Sequence, residues 1–272
     1  MAPFTDPSSS NLVKKEHESY DVLGPHHRIC QMVDFQVQSG SQPFAFIALR
    51  RYQQDLYVYL RKALPSLSLA DRRTLATDLL TQIFEGLGFA ITRNVTMNDL
   101  KPSNVFVDAI HPRGRMHLPS IRIGDWGLAK VAKEQGIDSS RLGWLSPMWH
   151  SPEWVLVKGR TKVTPAADLY SAAAIAYFCI SGDPPFWDLV QDQDEQYEDV
   201  IVKLRDGLIA LAPLPGAGSH PLDTLVMRWL SLDPSERQPG ANLELNDRCD
   251  LYVLAQEELN DATIPEGADQ WA

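Results

Sequence analysis

Basic side chains are in short supply in this chain. Its 272 residues carry 25 lysines and arginines against 35 aspartates and glutamates, a formal net charge of −10 at pH 7. A general nucleic-acid binder needs a basic face to neutralise phosphates, so no nucleic-acid partner is expected. The three cysteines, Cys30, Cys179 and Cys249, are too few and too widely spaced for a disulfide framework or a zinc-ligand pattern. Long hydrophobic runs are missing too. The apolar stretch around Ile175–Ile180 is too short to cross a bilayer, and no membrane partner is expected. Met1-Ala2-Pro3-Phe4-Thr5-Asp6 has no basic segment followed by an apolar core, unlike a signal peptide. These absences point to a globular chain of the cytoplasm or nucleus.

What is present reads as alternating helices and short strands. Residues 1–12, with two prolines and Ser8-Ser9-Ser10, read as a disordered leader. A short helix is expected from about Lys14 to Leu23, with Glu16, Tyr20 and Leu23 on one face and Gly24-Pro25 ending it. His26 and His27 read as surface or turn residues, because neither has metal-like partners at helical spacing. Val33, Phe35 and Val37 alternate with polar neighbours as in a half-buried strand, and Phe44–Leu49 would be its partner. Asp55–Leu60 begins another helix. Ser68 and Asp71 resemble a capping box ahead of a helix whose apolar stripe runs Leu75, Leu79, Leu80, Ile83, Phe84, Leu87. Two short strands, Val105–Val107 and Ile121–Ile123, flank the polar insert His111–Arg115. Asp168–Ile180 is apolar almost all round, which predicts a buried helix. Asp188–Asp199 holds six acids in twelve residues and reads as a solvated loop, or as a surface for basic substrate segments.

The chemistry concentrates in Asn98-Asp99-Leu100-Lys101-Pro102-Ser103-Asn104. Phosphoryl transfer needs a carboxylate to take a hydroxyl proton, a cation to offset charge on the moving group, and an oxygen ligand for a metal. Asp99, Lys101 and Asn104 supply these types at the D-x-x-x-x-N spacing of a kinase catalytic loop. Taken singly, each is an ordinary loop or surface residue. Four later motifs raise the specificity: Asp125-Trp126-Gly127, Ser151-Pro152-Glu153, the run from Asp168 to Phe186, and Leu232-Asp233-Pro234-Ser235-Glu236-Arg237.

In that order the motifs resemble those of the eukaryotic protein kinases of serine/threonine type, over roughly residues 14 to 255. The resemblance implies an α+β, protein-kinase-like fold: a mainly helical large lobe with a remnant small lobe of one helix and two strands. It implies boundaries at 13–49 for the small lobe, 50–258 for the large lobe and 259–272 for a flexible tail. It implies ATP and magnesium as cofactors and a protein as substrate or partner. Asp99 and Lys101 would be catalytic, Asn104 and Asp125 would hold magnesium, and Leu49, Arg51 and Tyr52 would line the adenine-side hinge. Glu16, Ser146, Glu153, Asp168 and Arg237 would be structural, with Glu153 and Arg237 paired and Asp168 bracing the catalytic loop.

Three departures qualify the resemblance. Met97-Asn98 stands where His-Arg usually precedes the catalytic aspartate. The strand-borne lysine that partners Glu16 is missing, and Lys14 and Lys15 lie on the same segment as Glu16. No glycine-rich phosphate loop precedes it. Such losses remove charge stabilisation and water exclusion together. The leading expectation is therefore a serine/threonine kinase, with a catalytically weak pseudokinase acting as a protein-binding module as the alternative. A two-stranded sheet is marginal alone, so either an incomplete gene model or a partner covering the truncated small lobe is expected.

Overall fold

The computed structural model describes residues 7–38, 44–131, 137–138, 147–153, 160–161, 165–192, 197–216, 220–237 and 250–263. Ser146, Cys249, residues 1–6 of the expected leader, 193–196 of the acidic run and 264–272 of the expected tail lie outside the described residues.

The first helix, α1, spans Pro7–Leu23 and so begins well before Lys14. Proline suits a first helical turn, where its missing N–H would have no partner and its fixed φ already matches. Residues 7–12, expected in the leader, are therefore helical. Gly24 closes α1: its φ of +65° is left-handed, and its N–H donates to Tyr20 O at 2.9 Å. Tyr20 and Leu23 are buried.

Strands β1 (Met32–Gln38) and β2 (Phe44–Leu49) pair antiparallel, from Met32 opposite Leu49 to Gln38 opposite Phe44. The expected buried face does not form as the alternation predicted. Val33 is 65% exposed and Val37 46%, while Phe35 is half-buried with its ring stacked on His17 at 3.8 Å. A register irregularity between Met32 and Asp34 interrupts the two-residue period, so Met32 rather than Val33 turns inward beside Phe35, while Val37 near the strand end stays exposed.

The large lobe follows. Strand β3 (Gln54–Asp55) leads into α2 (Leu56–Ala63), whose N-cap Asp55 accepts from Val58 N–H at 2.8 Å. Helix α3 (Leu69–Thr92) is capped by Ser68, which accepts from Asp71 N–H at 3.2 Å and donates to its carboxylate at 2.6 Å. The expected stripe from Leu75 to Leu87 is buried. After the short β4 (Val95–Thr96), strands β5 (Val105–Arg113) and β6 (Met116–Ile123) form a hairpin longer than expected. Its tip takes in the polar insert: His111, Pro112 and Arg113 pair with Leu118, His117 and Met116. Gly114, at φ +59°, makes so tight a reversal possible. Strand β7 (Lys130–Val131) pairs with β4.

Helix α4 (Pro165–Ser181) is buried from Pro165 to Ile180 and packs on α3, as a helix apolar on all sides must. Helix α5 (Tyr197–Arg205) forms a smaller apolar cluster with Phe186 through Val200 and Ile201, α6 (Pro221–Trp229) and α7 (Pro234–Arg237) pack on α4, and α8 (Asp250–Asp261) packs on α3. One continuous core runs from Tyr20 and Leu23 of α1 through α3 and α4 to Leu259 of α8. The result is an α+β fold dominated by helices, with α1 sharing the core of the large lobe. Among the described residues no helix is long and apolar enough to cross a membrane.

Candidate active site

The site is built on the loop leaving α3 and β4. Asp168, fully buried on α4, accepts Met97 N–H at 3.0 Å and Asn98 N–H at 2.8 Å, fixing the backbone just before Asp99. Burial pushes the Asp168 carboxyl up to about 7, against the pull of those two N–H donors. Asn98 sits at φ +66°, a left-handed conformation that asparagine tolerates better than most side chains. Its amide donates to Thr96 O at 3.0 Å and Leu128 O at 3.3 Å, locking the turn.

Asp99 is 5% exposed and surrounded by donors. Lys101 Nζ lies 3.1 and 2.9 Å from its two oxygens, and Asn104 Nδ2 donates to Oδ2 at 2.9 Å. His150 Nε2 lies 3.2 Å from Oδ1. Burial alone would raise the Asp99 carboxyl, but His150 and Lys101 overcome it and hold it below the usual aspartate value. Asn104 Nδ2 also donates to Asp99 O at 2.9 Å. With its nitrogen committed, Asn104 presents its carbonyl oxygen as the side chain's acceptor.

Asp125 is tied to the same loop, because Gly124 N–H donates to Asn104 O at 2.9 Å. It sits at the solvent-facing rim with φ +57°. Loss of water around its carboxyl and the charge of Asp99 raise it, opposed by Lys101 and by Gly127 N–H. Trp126 is buried and donates from Nε1 to Ile123 O at 3.2 Å. Glu16 of α1 reaches this turn: Trp126 N–H bonds its carboxylate, and burial with Asp125's charge pushes it up to about 7. Neither β1 nor β2 contains a lysine that could face Glu16.

Leu49 is half-buried at the end of β2, and Arg51 is exposed. Tyr52 accepts Gln31 N–H at 2.9 Å and tilts toward Phe106, ring centres 5.8 Å apart. Glu153 and Arg237 form a two-pronged pair at 2.9 and 2.7 Å. Arg237 is 0% exposed and also donates to Ser231 O, Leu232 O and Ala166 O, so all its N–H groups are used. Sequence reasoning missed His150. A histidine just before Ser151-Pro152-Glu153 was visible, but nothing in the spacing says that its ring turns toward Asp99. It also left His26 and His27 without partners, whereas the fold brings Glu85 of α3 to them.

A family model described as the protein kinase domain matches residues 5–244. Human serine/threonine-protein kinase ULK3 is 24% identical over 212 residues, covering 78% of this chain and 40% of that protein. Serine/threonine-protein kinase PkaA of Streptomyces coelicolor is 30% identical over 189 residues, covering 70% of this chain and 31% of that protein. G2-specific protein kinase nim-1 of Neurospora crassa is 30% identical over 145 residues, 53% of this chain and 14% of that protein. The chain thus spans well under half the length of each relative. The catalytic-loop bracing, the Glu153–Arg237 pair and the match to the family model agree, and the chain belongs to the eukaryotic-type serine/threonine protein kinase family.

Proposed function

We propose that this chain binds MgATP and transfers the γ-phosphate to a serine or threonine hydroxyl of a protein in the cytoplasm or nucleus. The observation that carries the reading is the set of donors around Asp99: Lys101, Asn104 and His150, with Asp125 on the neighbouring turn. Asp99, kept ionised, accepts the incoming hydroxyl and its proton. Lys101, beside it, stabilises charge on the transferring group. The donor set fits magnesium: Asn104 offers a carbonyl oxygen and Asp125 a carboxylate at an accessible rim, both hard ligands. When bound, that ion neutralises phosphate charge. Leu49, Arg51 and Tyr52 flank the adenine side. A partner protein covers the open edge of the β1–β2 sheet.

The test is phosphate transfer from labelled MgATP to a serine/threonine peptide library. Activity in the wild type that falls at least a hundredfold in Asp99→Asn supports the reading. No transfer by the wild type refutes it and leaves the second reading, a binding module with weak or no catalysis. One observation favours that alternative: Glu16 faces Trp126 N–H and the charge of Asp125, with no lysine on either strand to meet it.

A further inference from the structure

The turn that follows α1 carries His26 and His27, and α3 carries Glu85 opposite them. One ligand atom from each of the three lies within 4.8 Å of the other two. His27 Nε2 is 2.5 Å from Glu85 Oε1. The His26 ring is held in place from two sides, stacked on Phe89 at 4.1 Å and accepting Arg28 N–H at Nδ1. Arg28 Nε grips the second carboxylate oxygen, Oε2, at 2.6 Å, so Glu85 is oriented from behind and Oε1 is the oxygen turned to the histidines. Two imidazoles and one carboxylate, with the carboxylate fixed by a further hydrogen bond, are a donor set that suits zinc with an open fourth position.

We infer that His26, His27 and Glu85 form a zinc site, with water as the fourth ligand, that clamps the turn after α1 to α3. Zinc–ligand distances of about 2.0–2.2 Å require neighbouring ligands roughly 3.3 Å apart, so the His27–Glu85 pair opens by under about 1 Å on loading. His27 and Glu85 are 59% and 39% exposed, which gives the ion entry and the side chains freedom to adjust. The Arg28 charge opposes the cation, but it is already neutralised at Oε2, away from the ion.

The location gives the site a consequence. Residues 28–30 bond directly to β6, Ile123 N–H to Arg28 O at 2.7 Å and Cys30 N–H to Ile123 O at 2.8 Å, one residue before the Gly124-Asp125 turn. A clamp at 26–27 therefore fastens the far end of the helix that carries Glu16. This holds whether or not the chain transfers phosphate.

The test uses the full chain, stripped of metal, titrated with Co²⁺ and then Zn²⁺. The expected result is one equivalent of Co²⁺ with the visible bands of a four-coordinate ion, displaced by Zn²⁺. His27→Ala, an exposed change that leaves the core untouched, should weaken binding at least tenfold, and His26→Asn should do the same. Hydrogen exchange in residues 24–30 should slow on zinc binding in the wild type and stay unchanged in His27→Ala. Absence of the visible bands overturns the inference. So does binding that is equally tight in both variants, which would place the metal on other side chains.

Discussion

His150 Nε2 lies 3.2 Å from Asp99 Oδ1, in a buried contact between the segment preceding Ser151-Pro152-Glu153 and the loop leaving β4. Together with Lys101 it keeps the Asp99 carboxyl below its ordinary value. Such a depressed group contributes stability that is fully present above its unfolded value of about 3.9 and lost as pH falls through the lower folded value. His150→Ala should raise the Asp99 pKa toward the ordinary value. The readout is the carboxyl carbon chemical shift of Asp99 as a function of pH. An unshifted titration in the variant would mean that Lys101 alone sets the value.

The Arg237–Glu153 pair is a second point of leverage. Arg237→Ala strands a carboxylate and three carbonyl oxygens that all now accept from one guanidinium. Breaking a buried pair from one side costs about 3–5 kcal/mol. Urea denaturation should show a loss of unfolding free energy of that size. A change under about 1 kcal/mol would show that this pair is solvated in solution.

Glu16 predicts a pH dependence of opposite sign. Its carboxyl is pushed up to about 7 in the folded chain, by burial first and Asp125 second. Stability from a raised carboxyl is fully present below its unfolded value, about 4.3, and disappears as pH rises through the folded one. In magnesium-free buffer, Glu16→Gln should gain about 1–2 kcal/mol on the wild type between pH 5 and 8. Equal pH profiles for the two proteins would contradict the placement of Glu16 against the Asp125 turn.

Gly124 is required by close packing rather than by backbone conformation. A Cβ there would lie 2.8 Å from Cys30 Sγ and 2.9 Å from a ring carbon of Phe106. Gly124→Ala should lower stability by about 1–3 kcal/mol and displace the Asp125 turn. Thermal melting reads the first effect. A variant as stable as the wild type would mean that Phe106 can move aside freely.

Much of this was legible from local pattern. The stripe from Leu75 to Leu87, the all-apolar run from Asp168 to Ile180 and the Ser68 cap each depend on neighbours a few residues apart. Local rules reach that far. Val33 of β1 was placed on the wrong face because a register irregularity between Met32 and Asp34 interrupts the alternation, and nothing in the residues there announces it. The start of α1 was placed late because serines and prolines look like linker, although proline belongs at a helix's first turn. Asp99, Asn104 and Asp125 were singled out through motif order. His150 and Glu85 were not, because their roles come from contacts across 51 and 58 positions of sequence, which only the fold supplies.

The account turns on Asp99, Asn104 and Asp125 belonging to one MgATP site. Thermal unfolding of the wild type and of Asp125→Ala, each with and without millimolar MgATP, tests this most directly. Ligand at a hundredfold excess over Kd stabilises by about 2.7 kcal/mol. The account predicts a shift of that order in the wild type and its loss in Asp125→Ala, with both proteins equally folded without nucleotide. No shift in the wild type, or the same shift in both, would contradict it.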